Sequence, residues 1–174
     1  MKCSSCNVEY GLEEVKEAKD DCKKCDEPLN LKEYWGSEEI TKDLEFAKEQ
    51  SYSFVLVAER ENNVIGFSWG YKLPIEKFPF LKGKVSENSN YLDEIAVSGD
   101  ARTKGVATFI GEAYFQKVKE QGLSEIVLRT DERNVASMRL FEKLGFEKIP
   151  DSQSPNGFVY DPNFSNRVYL RRSI

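Results

Sequence analysis

One stretch of the chain, residues 91–149, restricts the fold more than any other. An apolar run at residues 95–97 predicts a strand, and the small residues at 98–100 predict a turn after it. The next segment has apolar side chains at i,i+4 spacing, typical of an amphipathic helix, at Val106, Ile110, Tyr114 and Val118. A strand, a turn and a helix therefore follow one another in this stretch.

The pattern continues with a second strand and a second helix. Residues 126–128 predict the strand, and the helix is predicted to start near Asn134, a good capping residue, and to stop at Gly145. Strand–helix–strand is a βαβ unit, so we expect the two strands to be parallel and joined by a right-handed crossover.

The turn between the first strand and its helix has the composition of an anion site. Gly105 and Ala107 carry little or no side chain, so a ligand can approach the main chain closely. The turn lies at a helix start, where N–H groups and the helix dipole favour an anion, and Arg102 and Lys104 add positive charge. A pyrophosphate fits this place. The alternative is an ordinary βα turn with two small residues.

The two motifs together resemble the GNAT superfamily of acyl-CoA-dependent N-acetyltransferases. The first is Arg-x-x-Gly-x-Ala at residues 102–107, and the second runs from Asn134 through Leu-Phe-Glu-Lys-Leu-Gly-Phe at residues 140–146. The resemblance implies a mixed α+β (α/β) fold: a mostly antiparallel sheet with a central splayed parallel strand pair and flanking helices. It also implies acetyl-CoA as cosubstrate. The residues that would hold it are Ile95, Ala96, Val97, Arg102, Thr103, Lys104, Gly105, Val106, Ala107, Asn134 and Phe141.

Phe141 departs from the family pattern, in which many members carry a tyrosine that protonates the departing CoA thiolate. Phenylalanine has no proton to give. Ser137, one helical turn earlier, is a candidate donor. Water is another, and the thiolate leaving without assistance is a third.

A general base is expected on the strand that would bind the cofactor arm. Asp93 and Glu94 lie there, and strict alternation along a strand would point only one of them at the acceptor. We favour Glu94 as the catalytic carboxylate. A solvated or salt-bridged Glu94 is the alternative, as is a mechanism in which water alone accepts the proton.

All four cysteines lie in residues 1–33, as two Cys-x-x-Cys pairs: Cys3, Cys6, Cys22 and Cys25. This spacing predicts a tetrahedral structural Zn²⁺ site, a zinc ribbon, with a disulfide pair or a redox motif as the alternatives. We therefore predict two domains, a zinc ribbon at 1–33 and an acetyltransferase domain at 34–174. If all four cysteines bind metal, none is left to accept an acyl group. Acyl transfer is therefore expected to run directly from the thioester to the amine.

Composition excludes several other kinds of protein. The 174-residue chain has no histidine, so no histidine base, Ser–His or Cys–His catalysis is available. A net charge of -5 argues against nucleic-acid binding. No membrane-length apolar run and no secretory signal is recognised, so a cytoplasmic protein without membrane association is predicted.

The leading hypothesis is an enzyme that moves an acetyl group from acetyl-CoA directly to a primary amine, of a small molecule or a peptide, in a ternary complex. The alternatives are a non-catalytic acetyl-CoA-binding regulatory module and a zinc-ribbon adaptor. A homodimer is compatible with the resemblance. Trp69 and Tyr71 could line the acceptor pocket or simply pack in the sheet, and the loop at residues 72–90 could cap it.

Overall fold

The computed structural model describes residues 1–10, 12–33, 35–102 and 104–174, without the side chains of Leu12, Glu13 and Asp100. The chain divides into two compact units, Met1–Glu45 and Phe46–Ile174. The first unit contains a two-stranded antiparallel sheet, β1 (Lys2–Cys3) and β2 (Leu31–Lys32), and a short helix, α1 (Leu12–Lys16). The helix α2 (Ser37–Glu49) has two acids in its first turn and crosses the boundary between the units.

The second unit is a seven-stranded sheet with the order β3-β4-β5-β6-β9-β7, and β8 pairs with β9. Its elements follow in chain order: β3 (Phe54–Arg60), β4 (Asn63–Lys72), β5 (Ser89–Val97), α3 (Val106–Glu120), β6 (Glu125–Asp131), α4 (Val135–Lys143), β7 (Glu147–Lys148), β8 (Tyr160–Asp161) and β9 (Phe164–Ser173). Short 3₁₀ turns occur at Ile75–Lys77, Pro79–Leu81 and Gly99–Ala101. β5 and β6 are the parallel pair, which confirms the predicted βαβ unit, and the other pairs are antiparallel.

The hairpin between β3 and β4 has a two-residue turn. It turns at Glu61 and Asn62, which both have positive φ. A left-handed conformation at both central residues matches the twist of a two-residue hairpin, and asparagine adopts it readily. The last strand, β9, covers ten residues.

The main hydrophobic core lies between the sheet and the helices α3 and α4. Its buried members are Leu92, Tyr114, Phe115, Val118, Leu123, Ile126, Leu128, Phe141, Leu144, Phe146, Val168 and Leu170. The period of four in α3 and the alternation in β6 and β9 place these residues on facing surfaces. The predicted amphipathic face of α3 is therefore confirmed. Of the helices in the described part of the chain, none has both the length and the apolar character that a bilayer crossing requires.

Candidate active site and cysteine cluster

The predicted anion-binding turn lies at the end of β5 and leads into α3. Gly105 precedes the helix with φ of +82°, a left-handed conformation that glycine adopts without strain. Within the described residues no side chain caps this helix start, and its first turn contains no acidic residue. The backbone N–H groups of that turn and the helix dipole are therefore suited to an anionic ligand.

Positive charge surrounds this turn. Arg102 and Lys104 are exposed, and Nε of Arg102 donates a hydrogen bond to the carbonyl oxygen of Val97 at 3.2 Å. Nζ of Lys143, in the last turn of α4, lies 3.4 Å from Oγ1 of Thr108 in the first turn of α3. Sequence analysis did not select Lys143, because only the packing of α4 on α3 brings it there. Val106 and Ala107 are half-buried, and Thr103 lies outside the described residues.

The parallel strands β5 and β6 are paired over only part of their length. Their ladder starts at Ser89 and Glu125 and ends at Leu92 and Leu128. Beyond this point β5 remains paired with β4 as far as Val97, and β6 remains paired with β9 as far as Asp131. Each strand is thus held by its outer neighbour while the inner ladder stops. The splayed pair that the family resemblance implied is present, and it contains the predicted Ile95, Ala96 and Val97 on β5.

A β-bulge occurs at the point where the ladder stops. Gly70 pairs with Leu92 and Trp69 pairs with Glu94, so Asp93 is the additional residue of β5. Nε1 of the buried Trp69 donates a hydrogen bond to Oδ2 of Asp93 at 3.1 Å. Glu94 is directly opposite Trp69, and directly paired residues project to the same face of a sheet. Because of the bulge, strict alternation does not separate Asp93 and Glu94, contrary to the simple expectation.

The carboxylate of Glu94 is half-buried and has a specific contact with the strand. Its Oε1 accepts a hydrogen bond from the backbone N–H of Ile95 at 3.1 Å. A carboxylate in this place, beside the end of the inner ladder, can accept a proton from a group that approaches the gap between the strands.

The second motif forms the start of α4 as predicted. Oδ1 of Asn134 accepts a hydrogen bond from the backbone N–H of Ser137 at 3.2 Å, so Asn134 is the N-cap of this helix. Ser137 is half-buried. Phe141 is buried in the main core and contacts Phe146 edge-to-face, with ring centroids 5.7 Å apart. Phe141 therefore has a packing role in addition to the cofactor contact that the resemblance implied.

The face of the sheet opposite the main core carries a buried ion pair with aromatic neighbours. Arg129 on β6 donates a hydrogen bond to Asp161, whose carboxylate also accepts one from the hydroxyl of Tyr169 at 3.4 Å. Burial raises the pKa of Asp161, but the hydrogen bonds from Arg129, the backbone N–H of Asn163 and Tyr169, with the charge of Arg129, together lower it, so the pKa lies below its usual range. Burial raises the pKa of Tyr169.

The loop before β5 packs on the same face. The ring centroids of Phe78 and Tyr91 are 5.3 Å apart, and those of Phe80 and Tyr169 are also 5.3 Å apart. Trp69 and Tyr71 are both almost completely buried, and Tyr71 contacts Phe46 edge-to-face. Sequence analysis missed Arg129 and Asp161, although an arginine after the apolar run of β6 was a signal that could have been used.

The basic residues near the C-terminus are engaged in the fold. Nη1 of Arg172 donates a hydrogen bond to the carbonyl oxygen of Leu144 at 2.6 Å, and its guanidinium lies over the ring of Phe115. Arg171 donates to the carbonyl oxygen of Lys84. A cation at the end of α4 complements the helix dipole.

The four cysteines of the first unit come together as predicted, and none of them forms a disulfide. Their Sγ atoms all lie within 4.8 Å of one another, and those of Cys6 and Cys22 are 3.7 Å apart. Four sulfurs placed tetrahedrally at about 2.3 Å from a zinc ion are about 3.8 Å from each other, so this donor set fits Zn²⁺. No redox role is needed to account for this arrangement.

The turns that present these cysteines are alike. Asn7 and Asp26, each one residue after the second cysteine of its pair, both have positive φ. Their backbone N–H groups donate to the carbonyl oxygens of Cys3 and Cys22 at 2.9 and 3.1 Å. A hydrogen bond with the hydroxyl of Tyr10 lowers the pKa of Cys22 to about 6. A backbone hydrogen bond from Glu27 lowers the pKa of the neighbouring Cys25, but burial and the other cysteine sulfurs raise it to about 12.

The sequence of this chain is similar to that of known proteins. Residues 12–146 match the acetyltransferase (GNAT) family. Over 96 residues, or 55% of this chain, the sequence is 32% identical to human N-acetyltransferase 8B, and it spans 39% of that protein's length.

Solved structures share the fold. Ard1 from Thermoplasma volcanium superposes with a TM-score of 0.58 at 23% identity, covering 83% of both chains. The PaiA N-acetyltransferase from Thermoplasma acidophilum, solved in complex with coenzyme A, superposes with a TM-score of 0.55 at 12% identity, covering 79% of this chain and 70% of that one.

Proposed function

This chain belongs to the GNAT acetyltransferase family, and from that premise we propose that it transfers an acetyl group from acetyl-CoA directly to a primary amine. The observation that carries the proposal is the early end of the β5–β6 ladder beside the uncapped start of α3. A diphosphate bound at that helix start would direct the rest of the cofactor along β5 into the gap between the strands.

We assign the cofactor to main-chain groups and to the cations near the turn. Backbone N–H groups at residues 102–107 would bind the diphosphate, with Arg102 and Lys104 contributing charge. The strand at residues 95–97 would bind the pantetheine arm. We assign a further cofactor contact to Asn134, the N-cap of α4 in the second motif. The PaiA protein, which shares the fold, was solved with coenzyme A.

In the proposed reaction Glu94 removes a proton from the ammonium group of the acceptor, directly or through a water molecule. The amine nitrogen then attacks the thioester carbonyl carbon and a tetrahedral intermediate forms. When that intermediate collapses, the C–S bond breaks, the nitrogen gives up its second proton, and the CoA thiolate gains one. That proton passes through the hydroxyl of Ser137, which donates one proton and takes up another, or through water. The transfer is proposed to proceed without an acyl-enzyme, since the four cysteines lie together in the cluster that we assign to zinc.

We also propose that residues 1–33 form a separate domain folded around a structural Zn²⁺ ion. Cys3, Cys6, Cys22 and Cys25 would supply four thiolates, which leaves no open position for a substrate. So small a segment buries little apolar surface, so metal binding would provide much of its folding free energy.

The test is CoA release from acetyl-CoA, followed with a thiol reagent, over a panel of polyamines, amino acids and peptides with free N-termini. Turnover with at least one acceptor is expected, together with an acetylated product of the corresponding mass. If CoA binds and no amine is acetylated, a regulatory module that binds acetyl-CoA without turnover is the better description. Phe141 in place of the family's tyrosine is the observation that favours that second candidate.

A further inference from the structure

Tyr114 of α3 is completely buried, and its hydroxyl reaches the backbone of β5 just before the bulge. The hydroxyl donates a hydrogen bond to Oδ1 of Asn90 and lies 3.4 Å from the carbonyl oxygen of Tyr91. Burial raises the pKa of Tyr114 well above its usual value, so the hydroxyl keeps its proton and remains a donor. A helix side chain is thus hydrogen-bonded to one residue of the strand and lies close to the carbonyl oxygen of the next.

Gly70 of β4 provides the space for this hydroxyl. A Cβ atom at that position would lie 1.7 Å from Oη of Tyr114 and 2.3 Å from the carbonyl oxygen of Tyr91. Both distances are far below contact distance, and the second involves backbone, so any larger residue would move either α3 or β5. Glycine at residue 70 and tyrosine at residue 114 therefore form a matched pair.

Three features coincide at this point of the sheet. Gly70 is directly paired with Leu92, and the next residue of β5, Asp93, is the extra residue of the bulge. Leu92 is also the last residue of β5 that pairs with β6. A bulge bends a strand and increases its twist, so a fixed position for residues 90 and 91 determines where β5 turns away from β6.

We propose that Tyr114 is a positioning residue for the acyl-CoA arm: its hydroxyl, seated over Gly70, fixes β5 immediately before the bulge and so holds residues 94–97 apart from β6. This inference rests on the proposed function, because it assigns the gap to the cofactor. Tyr114 itself touches neither the diphosphate turn nor the reacting atoms.

The experiment compares two ligands by calorimetry. CoA carries both the nucleotide diphosphate and the pantetheine arm. The second ligand, 3′-phospho-ADP, has the same nucleotide and diphosphate but lacks the pantetheine arm. Tyr114→Phe removes one oxygen and keeps the ring, whose centroid lies 4.7 Å from that of Phe54. We expect the affinity for CoA to fall by about tenfold, the scale of one lost hydrogen bond, and the affinity for 3′-phospho-ADP to stay within about twofold.

Tyr160→Phe is the matched control, since it removes a hydroxyl that donates to Oε2 of Glu132 at 2.8 Å in another part of the sheet. It should change neither affinity. If Tyr114→Phe does not fold, Asn90→Leu takes its place, because it removes the main acceptor of the hydroxyl at similar volume. The same selective loss is expected.

Equal losses for both ligands, or no loss for either, would overturn the positioning role while leaving the proposed function intact. Failure of the wild-type protein to bind CoA would instead overturn the proposed function, and this inference with it.

Discussion

Leu92 and Leu128 are the last two residues paired across the parallel strands β5 and β6. Both are almost completely buried in the main core, so the strands are firmly joined at this pair and separate immediately after it. The bulge and the candidate base Glu94 lie after Leu92 in β5, and the turn for which we propose diphosphate binding follows the end of that strand. The first two predictions follow from that arrangement.

Ala107→Phe is expected to weaken CoA binding by more than about tenfold, because a large side chain in the first turn of α3 obstructs the approach to its N–H groups. Ala113→Phe is the matched control, since Ala113 is an exposed residue of the same helix. Calorimetry with CoA measures both variants, and their melting temperatures show whether they fold. Unchanged CoA affinity in Ala107→Phe would contradict the assignment of the diphosphate to this turn.

Glu94→Gln is expected to lower kcat by about 10²- to 10⁴-fold and to leave CoA affinity unchanged, because the amide cannot accept the proton of the acceptor. Asp93→Asn is the comparison, since Asp93 is the neighbouring carboxylate and is bonded to Trp69. Steady-state kinetics over a range of pH distinguish them. A larger loss in Asp93→Asn than in Glu94→Gln would move the role of base to Asp93.

Ser137→Ala is expected to reduce kcat by about tenfold if the serine hydroxyl protonates the thiolate. This loss is smaller than the rate contribution that general acid–base catalysis usually makes. The backbone N–H that bonds to Asn134 is retained, so the helix cap stays intact. The rate of CoA release at saturating acceptor measures the effect. A variant as fast as the wild type would assign the proton to water.

The purified protein is expected to contain about one zinc ion per chain, measured by elemental analysis, and to lose it when Cys22 is replaced by serine. Ser5→Ala is the control, because Ser5 is exposed between two cysteines. Removal of the metal with a chelator should unfold residues 1–33, since metal binding would provide much of the folding free energy of so small a segment. CoA affinity should persist, and its loss would contradict the prediction of two separate domains.

Stability below neutral pH is expected to depend on Asp161. Its pKa is lowered in the folded protein by Arg129, so its stabilising contribution is present above the pKa of the unfolded chain, about 3.9, and is lost as the pH falls through the lower folded value. Asp161→Asn should cost about 1–3 kcal/mol at pH 7, with a smaller difference at pH 3. Urea unfolding at the two pH values measures this. A pH-independent difference would exclude the ion pair as the cause.

Much of the fold was predictable because its signals are local. The period of α3, the capping residue Asn134 and the glycine at residue 105 each determine structure within a few residues, and all three are found as expected. The bulge at Asp93 was not predictable, since it results from pairing with β4 and from the space at Gly70. The contact of Arg129 with Asp161 joins residues 32 positions apart and requires the tertiary fold.

Because β5 and β6 diverge, binding of the acyl donor and recognition of the acceptor depend on different groups of the protein. In the proposed complex the acyl donor is held largely by peptide groups, which every amino acid supplies, whereas the acceptor meets side chains such as Glu94. Substitutions around the acceptor can therefore accumulate without loss of the donor. A chain of this kind can change the amine that it modifies during evolution while its chemistry stays the same.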